Sequence, residues 1–168
     1  HSPDLKVLNL FAYTCAFSVA ALQSGAKQVV NVDMSAGALS IGQLNHRLNG
    51  LATGASFLPH DIFKSWGKIA RNGPYHLVIV DPPSFQKGSF VATKDYAKLI
   101  RRLPALLQPE GVAMVCLNAP ELDTHFLKAL VAAQAPDLQF VQRLANPSEF
   151  MDIDPHRALK VLLYNSSK

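Results

Sequence analysis

The stretch Val78-Ile79-Val80-Asp81-Pro82-Pro83-Ser84-Phe85 decides how the rest of the chain is read. Its apolar half predicts a buried strand, because parallel strands covered on both faces are near-continuously hydrophobic. The strand must end at Asp81. Proline has no N–H to give to a central ladder, and two prolines follow. A carboxylate, two stiffly held carbonyls and the Phe85 ring are thereby set just past a strand's carboxyl end, where open α/β sheets take their ligands. Acceptors for amine hydrogens beside an aromatic face suit a flat, hydrogen-bonding ring.

Outward from this stretch, strand and helix alternate. Residues 7–11 read as a first strand, 12–16 as a small-residue turn, and 17–24 as a helix stopped by Gly25. Residues 28–33 form a second strand ending in an acid, and Ser35 caps a helix that runs to about Asn49-Gly50. A short strand at 55–58 is closed by Pro59-His60-Asp61, and a helix over 62–71 breaks at Asn72-Gly73-Pro74. The strand of the opening stretch starts near His76. After a loop at 85–93, helical spacing runs from 95 to 107, with Pro104 as a kink, and 108–111 is a turn. A fifth strand at 112–117, a helix at 121–135 and strands at 138–144 and 158–164 complete the chain. Short connections between alternating elements predict a doubly wound α/β sheet with right-handed crossovers. The last two strands have no helix between them and are expected to pair antiparallel at one edge.

With 168 residues, of which 49% are hydrophobic and 17% charged, the chain suits one domain spanning 1–168 with a full core. No apolar run reaches membrane-spanning length and no signal-peptide pattern is present, so a soluble cytoplasmic protein is expected. The two cysteines, Cys15 and Cys116, show no metal-ligand spacing and are read as reduced and buried; the six histidines are scattered, and no metal is expected. A net charge of +4 is compatible with nucleic acid without demanding it. The opening His1-Ser2-Pro3 lacks an initiator Met and suggests the C-terminal part of a longer protein.

Asp33, Asp61 and Asp81 all fall at the carboxyl ends of expected strands. One such acid is ordinary turn or cap chemistry, but three on one sheet edge point to a site. An acid ending the second strand, about 20 residues past the first turn, is where dinucleotide-type folds hold ribose hydroxyls. The first turn, Tyr13-Thr14-Cys15-Ala16-Phe17, has no glycine to let a ligand approach the backbone, and by itself leaves a nucleotide turn and a plain strand-to-helix turn both open. Lys94, Lys98 and Arg101 or Arg102 share one helix face. They, with Lys87 in the preceding loop, are either a solvated surface or a phosphate-steering row.

These residues together resemble the class I S-adenosylmethionine-dependent methyltransferases, and among them the bacterial large-subunit rRNA group. The likeness runs from Asn9-Leu10-Phe11-Ala12-Tyr13-Thr14-Cys15-Ala16-Phe17 through Val32-Asp33-Met34-Ser35, His60-Asp61-Ile62-Phe63 and Asp81-Pro82-Pro83-Ser84-Phe85 to Lys94-Asp95-Tyr96. The resemblance implies a mostly parallel, seven-stranded Rossmann-like sheet with one antiparallel C-terminal strand. It implies S-adenosyl-L-methionine as cofactor and RNA as partner, leaving monomer and dimer both open. Phe11, Tyr13, Thr14, Ala16 and Phe17 would wrap the methionine end. Asp33 would hold the ribose, Met34 pack on adenine, and Asp61 with Ile62 meet the adenine edge. Asp81, Pro82, Pro83 and Phe85 would face the target base, and Lys87, Lys94 and Tyr96 the RNA.

The chain departs from the family pattern in two places. Cys15 and Ala16 replace the turn glycines, which implies reduced cofactor affinity, or its loss if Cys15 needs positive φ. Cytosine C5 enzymes of the group carry a nucleophilic cysteine in a Ser-Cys-Ser block after the fifth strand, whereas this chain reads Cys116-Leu117-Asn118-Ala119-Pro120. C5 attack needs a thiolate, so methyl transfer to a nucleobase nitrogen is favoured. The alternatives are a cytosine C5 enzyme and a catalytically impaired module for RNA binding or dimerisation. A nicotinamide dehydrogenase ranks below these, since the Gly-x-Gly-x-x-Gly turn is missing. A small-molecule methyltransferase stays open because fold does not fix substrate.

Overall fold

The structure, a computed structural model, describes residues 4–86, 90–150, 154 and 157–167. Seven strands form one sheet: β1 (Lys6–Leu10), β2 (Gln28–Asp33), β3 (Ala55–Pro59), β4 (Tyr75–Val80), β7 (Leu107–Leu117), β8 (Leu138–Leu144) and β9 (Lys160–Ser166), in the order β3-β2-β1-β4-β7-β9-β8. Pairing is parallel from β3 through β7. The last strand, β9, slots between β7 and β8 and runs antiparallel to both. The expected edge pair therefore forms, with β8 outermost. The order reverses between β1 and β4, the two strands that start the two halves of the winding.

Helices α1 (Ala16–Gln23), α2 (Ala36–Leu48), α3 (Trp66–Arg71), α4 (Ala92–Ile100), α5 (Leu103–Leu106) and α6 (Thr124–Gln134) connect the strands. Ser35 caps α2 as its position suggests, accepting from Ala38 N at 3.1 Å. Gly25 and Gly50, which end the first two helices, both take positive φ. The central strands are buried on both faces: Leu8, Leu10, Val32, Val78, Val80 and Val115 are at most 0% exposed. Such double burial is why they read as apolar runs instead of alternating patterns.

Four stretches differ from the expected elements. The 62–71 helix is two pieces, a 3-10 turn at Ile62–Lys64, capped at its start by Asp61 Oδ1 accepting from Phe63 N, and then α3, with the break at Ser65, which leaves the helical conformation. The 85–93 loop holds a two-stranded ribbon, β5 (Phe85–Gln86) against β6 (Phe90–Val91), and α4 already starts at Ala92. Asp95 sets that start by accepting from Val91 N at 2.8 Å. The 95–107 helix breaks after Ile100, because Pro104 has no N–H to give to a helix interior and is tolerated only in the first turn of the separate α5. The 108–111 turn lies inside β7 as a bulge, where the register to β4 jumps from Tyr75↔Leu107 to Leu77↔Val112. Gly111 is required there, since a Cβ would lie 2.9 Å from the Gln108 carbonyl and 3.0 Å from that of Tyr75.

The β1–α1 turn is tightly held. Phe11, Tyr13 and Cys15 all take positive φ, 59°, 48° and 64°, without a glycine among them. Cys15 is wholly buried and lies against Gly42 of α2, where an added Cβ would stand 2.5 Å from the Cys15 Sγ. Gly42→Ala should therefore cost about 1–3 kcal/mol as overpacking. That is a fall in Tm of about 3–10 °C for a chain of this size. In a Cys15→Gly background the same substitution should cost less than half as much, because the space it needs has been vacated. Thermal unfolding of the four proteins of the cycle measures the coupling, and additive losses would refute the contact.

Candidate active site

Parallel pairing brings the carboxyl ends of β3, β2, β1, β4 and β7 to one edge, and each contributes to a single cavity of about 490 Å³. Asp61, Ile62 and Phe63 come from the end of β3, Asp33, Met34 and Ser35 from β2, and Phe11 and Tyr13 from β1. Asp81, Pro83 and Phe85 follow β4, and Asn118 follows β7. The volume suits an organic ligand, for which clefts of about 300–1,000 Å³ are usual.

The three acids meet here in different states. Asp33 accepts Tyr13 N on Oδ2 at 2.9 Å and Ser35 N on Oδ1 at 2.8 Å, which ties the β1 turn to the start of α2. Asp61 accepts Phe63 N at 2.9 Å, with Lys64 Nζ 3.5 Å from its other oxygen. Asp81 Oδ1 accepts Asn118 Nδ2 at 2.9 Å, and the same amide nitrogen reaches the Pro82 carbonyl at 3.3 Å. Burial raises the Asp81 pKa above the usual carboxylate value, against the lowering effect of hydrogen bonds from Asn118 and Cys116.

Not every residue named from the sequence reaches the cavity. Pro82 is buried and presents its carbonyl to Asn118, while Thr14, Ala16 and Phe17 are not among the described lining residues. The Thr14 carbonyl is turned to α2, accepting Asn45 Nδ2 at 2.9 Å. Tyr96 has to be corrected: it is 1% exposed in the core, its hydroxyl donating to the Cys116 carbonyl, so it cannot touch RNA. Lys94 is exposed on the first turn of α4 and lies off the cavity. Its row is largely engaged within the fold: Lys98 pairs with Asp95, Arg101 donates to Gln134 and Arg102 lies over Trp66. Lys87 lies outside the described residues. His60, Phe63 and Asn118 line the cavity without having been singled out as site residues. Asn118 had a readable signal, a polar residue directly after an apolar parallel strand; His60 and Phe63 flank an acid that had been picked out.

Both thiols are disqualified as nucleophiles. Burial, and then the Asp33 charge, pushes Cys15 up to about 12. Burial and the neighbouring Asp81 push the Cys116 thiol far above its usual range, and it sits 1% exposed within β7.

A family model of S-adenosylmethionine-dependent methyltransferases matches residues 2–165. The chain belongs to that family. Among curated relatives, the ribosomal RNA large subunit methyltransferase I of Aeromonas hydrophila is 34% identical over 153 residues, 86% of this chain and 38% of that protein. The ribosomal RNA large subunit methyltransferase K/L of Psychrobacter cryohalolentis is 38% identical over 120 residues, 67% of this chain and 15% of that one. The chain thus spans well under half the length of these relatives. A solved structure provisionally classed as a methyltransferase, complexed with S-adenosylhomocysteine, superimposes with a TM-score of 0.86 at 28% identity, covering 97% of this chain and 46% of that one. The methyltransferase sheet expected from the motifs is the sheet observed. No helix among the described residues is long and apolar enough to cross a membrane.

One of the cavity acids carries a cost in stability. A carboxyl whose folded pKa lies above its unfolded value holds its proton more tightly when folded, so stability falls as pH rises from the ordinary carboxylate pKa through the raised one. Above that window the cost is fully present. Asp81→Asn removes it while keeping an oxygen for Asn118 Nδ2. Its Tm should equal or exceed the parent's at pH 7, and the advantage should shrink towards pH 3.5. Melting curves over this range test the sign, and a variant less stable at pH 7 than at pH 3.5, relative to the parent, would contradict it.

Proposed function

We propose that this domain transfers the methyl group of S-adenosylmethionine to a nucleobase nitrogen of large-subunit rRNA, as the catalytic, C-terminal part of a longer protein. The carrying observation is the Asp81–Asn118 pair at the carboxyl ends of adjacent strands, open to the same cavity as Asp33 and Asp61.

The residues fit the cofactor. Asp33 uses one lone pair on each oxygen for backbone N–H groups, which leaves one on each to accept from a vicinal diol. Met34, 52% exposed, and Ile62 offer apolar surface beside it for a purine, and Asp61 keeps acceptor capacity for an amine edge. Cys15, despite its positive φ, directs its side chain into the contact with Gly42 and away from the cavity, so the missing glycines do not close the site. When bound, the cofactor supplies an activated methyl on a sulfonium.

The rest of the task is positioning. Asn118 gives its amide hydrogens to Asp81 and Pro82 and so presents Oδ1 as an acceptor. Asp81 then accepts an N–H of the target base. Asp81 would take up the proton that the acceptor nitrogen gives up on receiving the methyl group. Its raised pKa suits a proton acceptor working closer to neutrality. Phe85, 65% exposed at the rim, provides the face on which a flipped base stacks. A C5 target is disfavoured because Cys116 is buried, protonated and held to Asp81. The rRNA reading is supported by the names of the curated relatives.

Asp33→Ala should weaken S-adenosylmethionine binding at least tenfold by calorimetry, since two charge-assisted hydrogen bonds are lost. Asp81→Ala should abolish methyl transfer and leave cofactor affinity within about threefold. Nucleoside mass spectrometry of rRNA from a deletion strain, showing one missing N-methyl mark, tests the whole reading. A missing 5-methylcytidine, or full activity of Asp81→Ala, would defeat it.

A further inference from the structure

Among the described residues, Lys160 is the only lysine, arginine, aspartate or glutamate that is buried, at 1% exposed. It lies on β9, paired across from Leu117, the residue before Asn118. Its Nζ donates to the Ala119 carbonyl, the residue after Asn118, at 3.0 Å. One ammonium therefore grips the backbone at the point where β7 delivers its amide to the cavity.

Stability alone does not account for a lysine here. Burying an ammonium is costly, and a methionine of similar length would fill the same space without that penalty. Glu121, Asp123 and Asp154 provide opposing charge, while Arg143 on β8 works against the lysine. Burial is the largest influence and pulls the pKa down. What a methionine could not do is donate to the Ala119 carbonyl, and the segment so fixed carries the Asn118 amide that spans Asp81 Oδ1 and the Pro82 carbonyl.

We propose that Lys160 is a positioning residue for methyl transfer: by pinning the Ala119 carbonyl it holds Asn118, and through Asn118 the Asp81 carboxylate, in the arrangement that receives the acceptor nitrogen. The inference rests on the nitrogen-methylation reading above. Lys160 touches no substrate, and its effect passes entirely through Asn118.

The test uses the full-length protein, S-adenosylmethionine labelled in the methyl group, and unmodified in-vitro-transcribed large-subunit rRNA. Lys160→Met should lower kcat by about 10- to 100-fold, the loss a displacement of about an ångström at a reacting centre produces. KM for the RNA and the cofactor Kd should stay within about threefold, and Tm should not fall. In an Asn118→Ala background the same substitution should change kcat less than about twofold, because the link is already cut. Backbone hydrogen exchange over residues 117–121 should quicken in Lys160→Met. Should that variant not fold, Lys160→Gln, one bond too short to reach Ala119, is judged by the same criteria. A kcat within threefold of the parent, or an undiminished effect in the Asn118→Ala background, overturns the proposal. Wild-type inactivity on this RNA overturns the rRNA reading alone. Exchange then decides on Lys160, and unchanged protection over 117–121 sinks it.

Discussion

Parallel pairing of β3, β2, β1, β4 and β7 forces five strand ends onto one edge, and the site follows from that constraint. A carboxylate after a strand is local turn chemistry in any protein. It becomes part of a constellation only because parallel register stacks one strand end beside the next. Asp61, Asp33, Phe11, Asp81 and Asn118 are then neighbours although they span more than half of the chain. The reversal of strand order between β1 and β4 opens the crevice, since the connections leave in opposite directions there. Pro82 and Pro83 reinforce it by denying β4 any continuation beyond Asp81.

The β1 turn shows how the crevice is kept open without glycine. Residues in αL are strained when they carry a Cβ, by about 1–2 kcal/mol each. Phe11, Tyr13 and Cys15 adopt it because their surroundings leave no other choice. Asp33 fixes the Tyr13 N–H, Asn45 fixes the Thr14 carbonyl, and Gly42 leaves space for the Cys15 side chain. Beneath the turn a buried chain of polar side chains joins both strands to both helices. Asn9 Nδ2 donates to Asn31 Oδ1, Asn31 Nδ2 to Ser18 Oγ, and Ser18 Oγ lies 2.9 Å from His46 Nε2. His46 Nδ1 faces the Gly42 carbonyl at 2.7 Å, so it carries the proton and Nε2 accepts from Ser18. Asn9 Oδ1, at the end of this chain, has no hydrogen-bond partner among the described residues; the bonds from Asn9 Nδ2 onward tie the two strands and two helices into one arrangement of backbone.

Much of this was legible in the residues. Gln28–Asp33 was readable to the residue, because a buried apolar run bounded by turn residues leaves little freedom; Leu138–Leu144, largely exposed at the sheet edge, was equally well bounded, and Ser35 announced its cap. The misreadings cluster where a single hydrogen bond or missing N–H outweighs periodicity. Asp95 advances the start of a helix, and Pro104 splits one whose apolar spacing continues unbroken. Tyr96 was misplaced for a related reason. A phenol on an amphipathic helix can face either way, and the decision lies with the Cys116 carbonyl, which the sequence places 20 residues away. Asn118 stood out as a polar residue after an apolar strand and as a departure from a cysteine motif, but its positive role comes from its partners Asp81 and Pro82.

The capping and ligand-binding readings of the strand-end acids turn out not to compete. An ionised carboxylate offers about four lone-pair sites, and the turns use only some of them. Asp33 spends one on each oxygen to lock Tyr13 and Ser35, and this fixes the plane of the carboxylate and the direction of the lone pairs that remain. Asp81 is oriented in the same way from one side by Asn118, while burial raises its proton affinity. The structural bonds are therefore what preorganise the groups, because an acceptor already held in place loses little freedom when a ligand arrives. An acid that served only as a cap could be replaced by serine or asparagine, which cap equally well. Three aspartates around one cavity, each with acceptor capacity left over, are better explained by a ligand rich in hydrogen-bond donors than by three coincident caps.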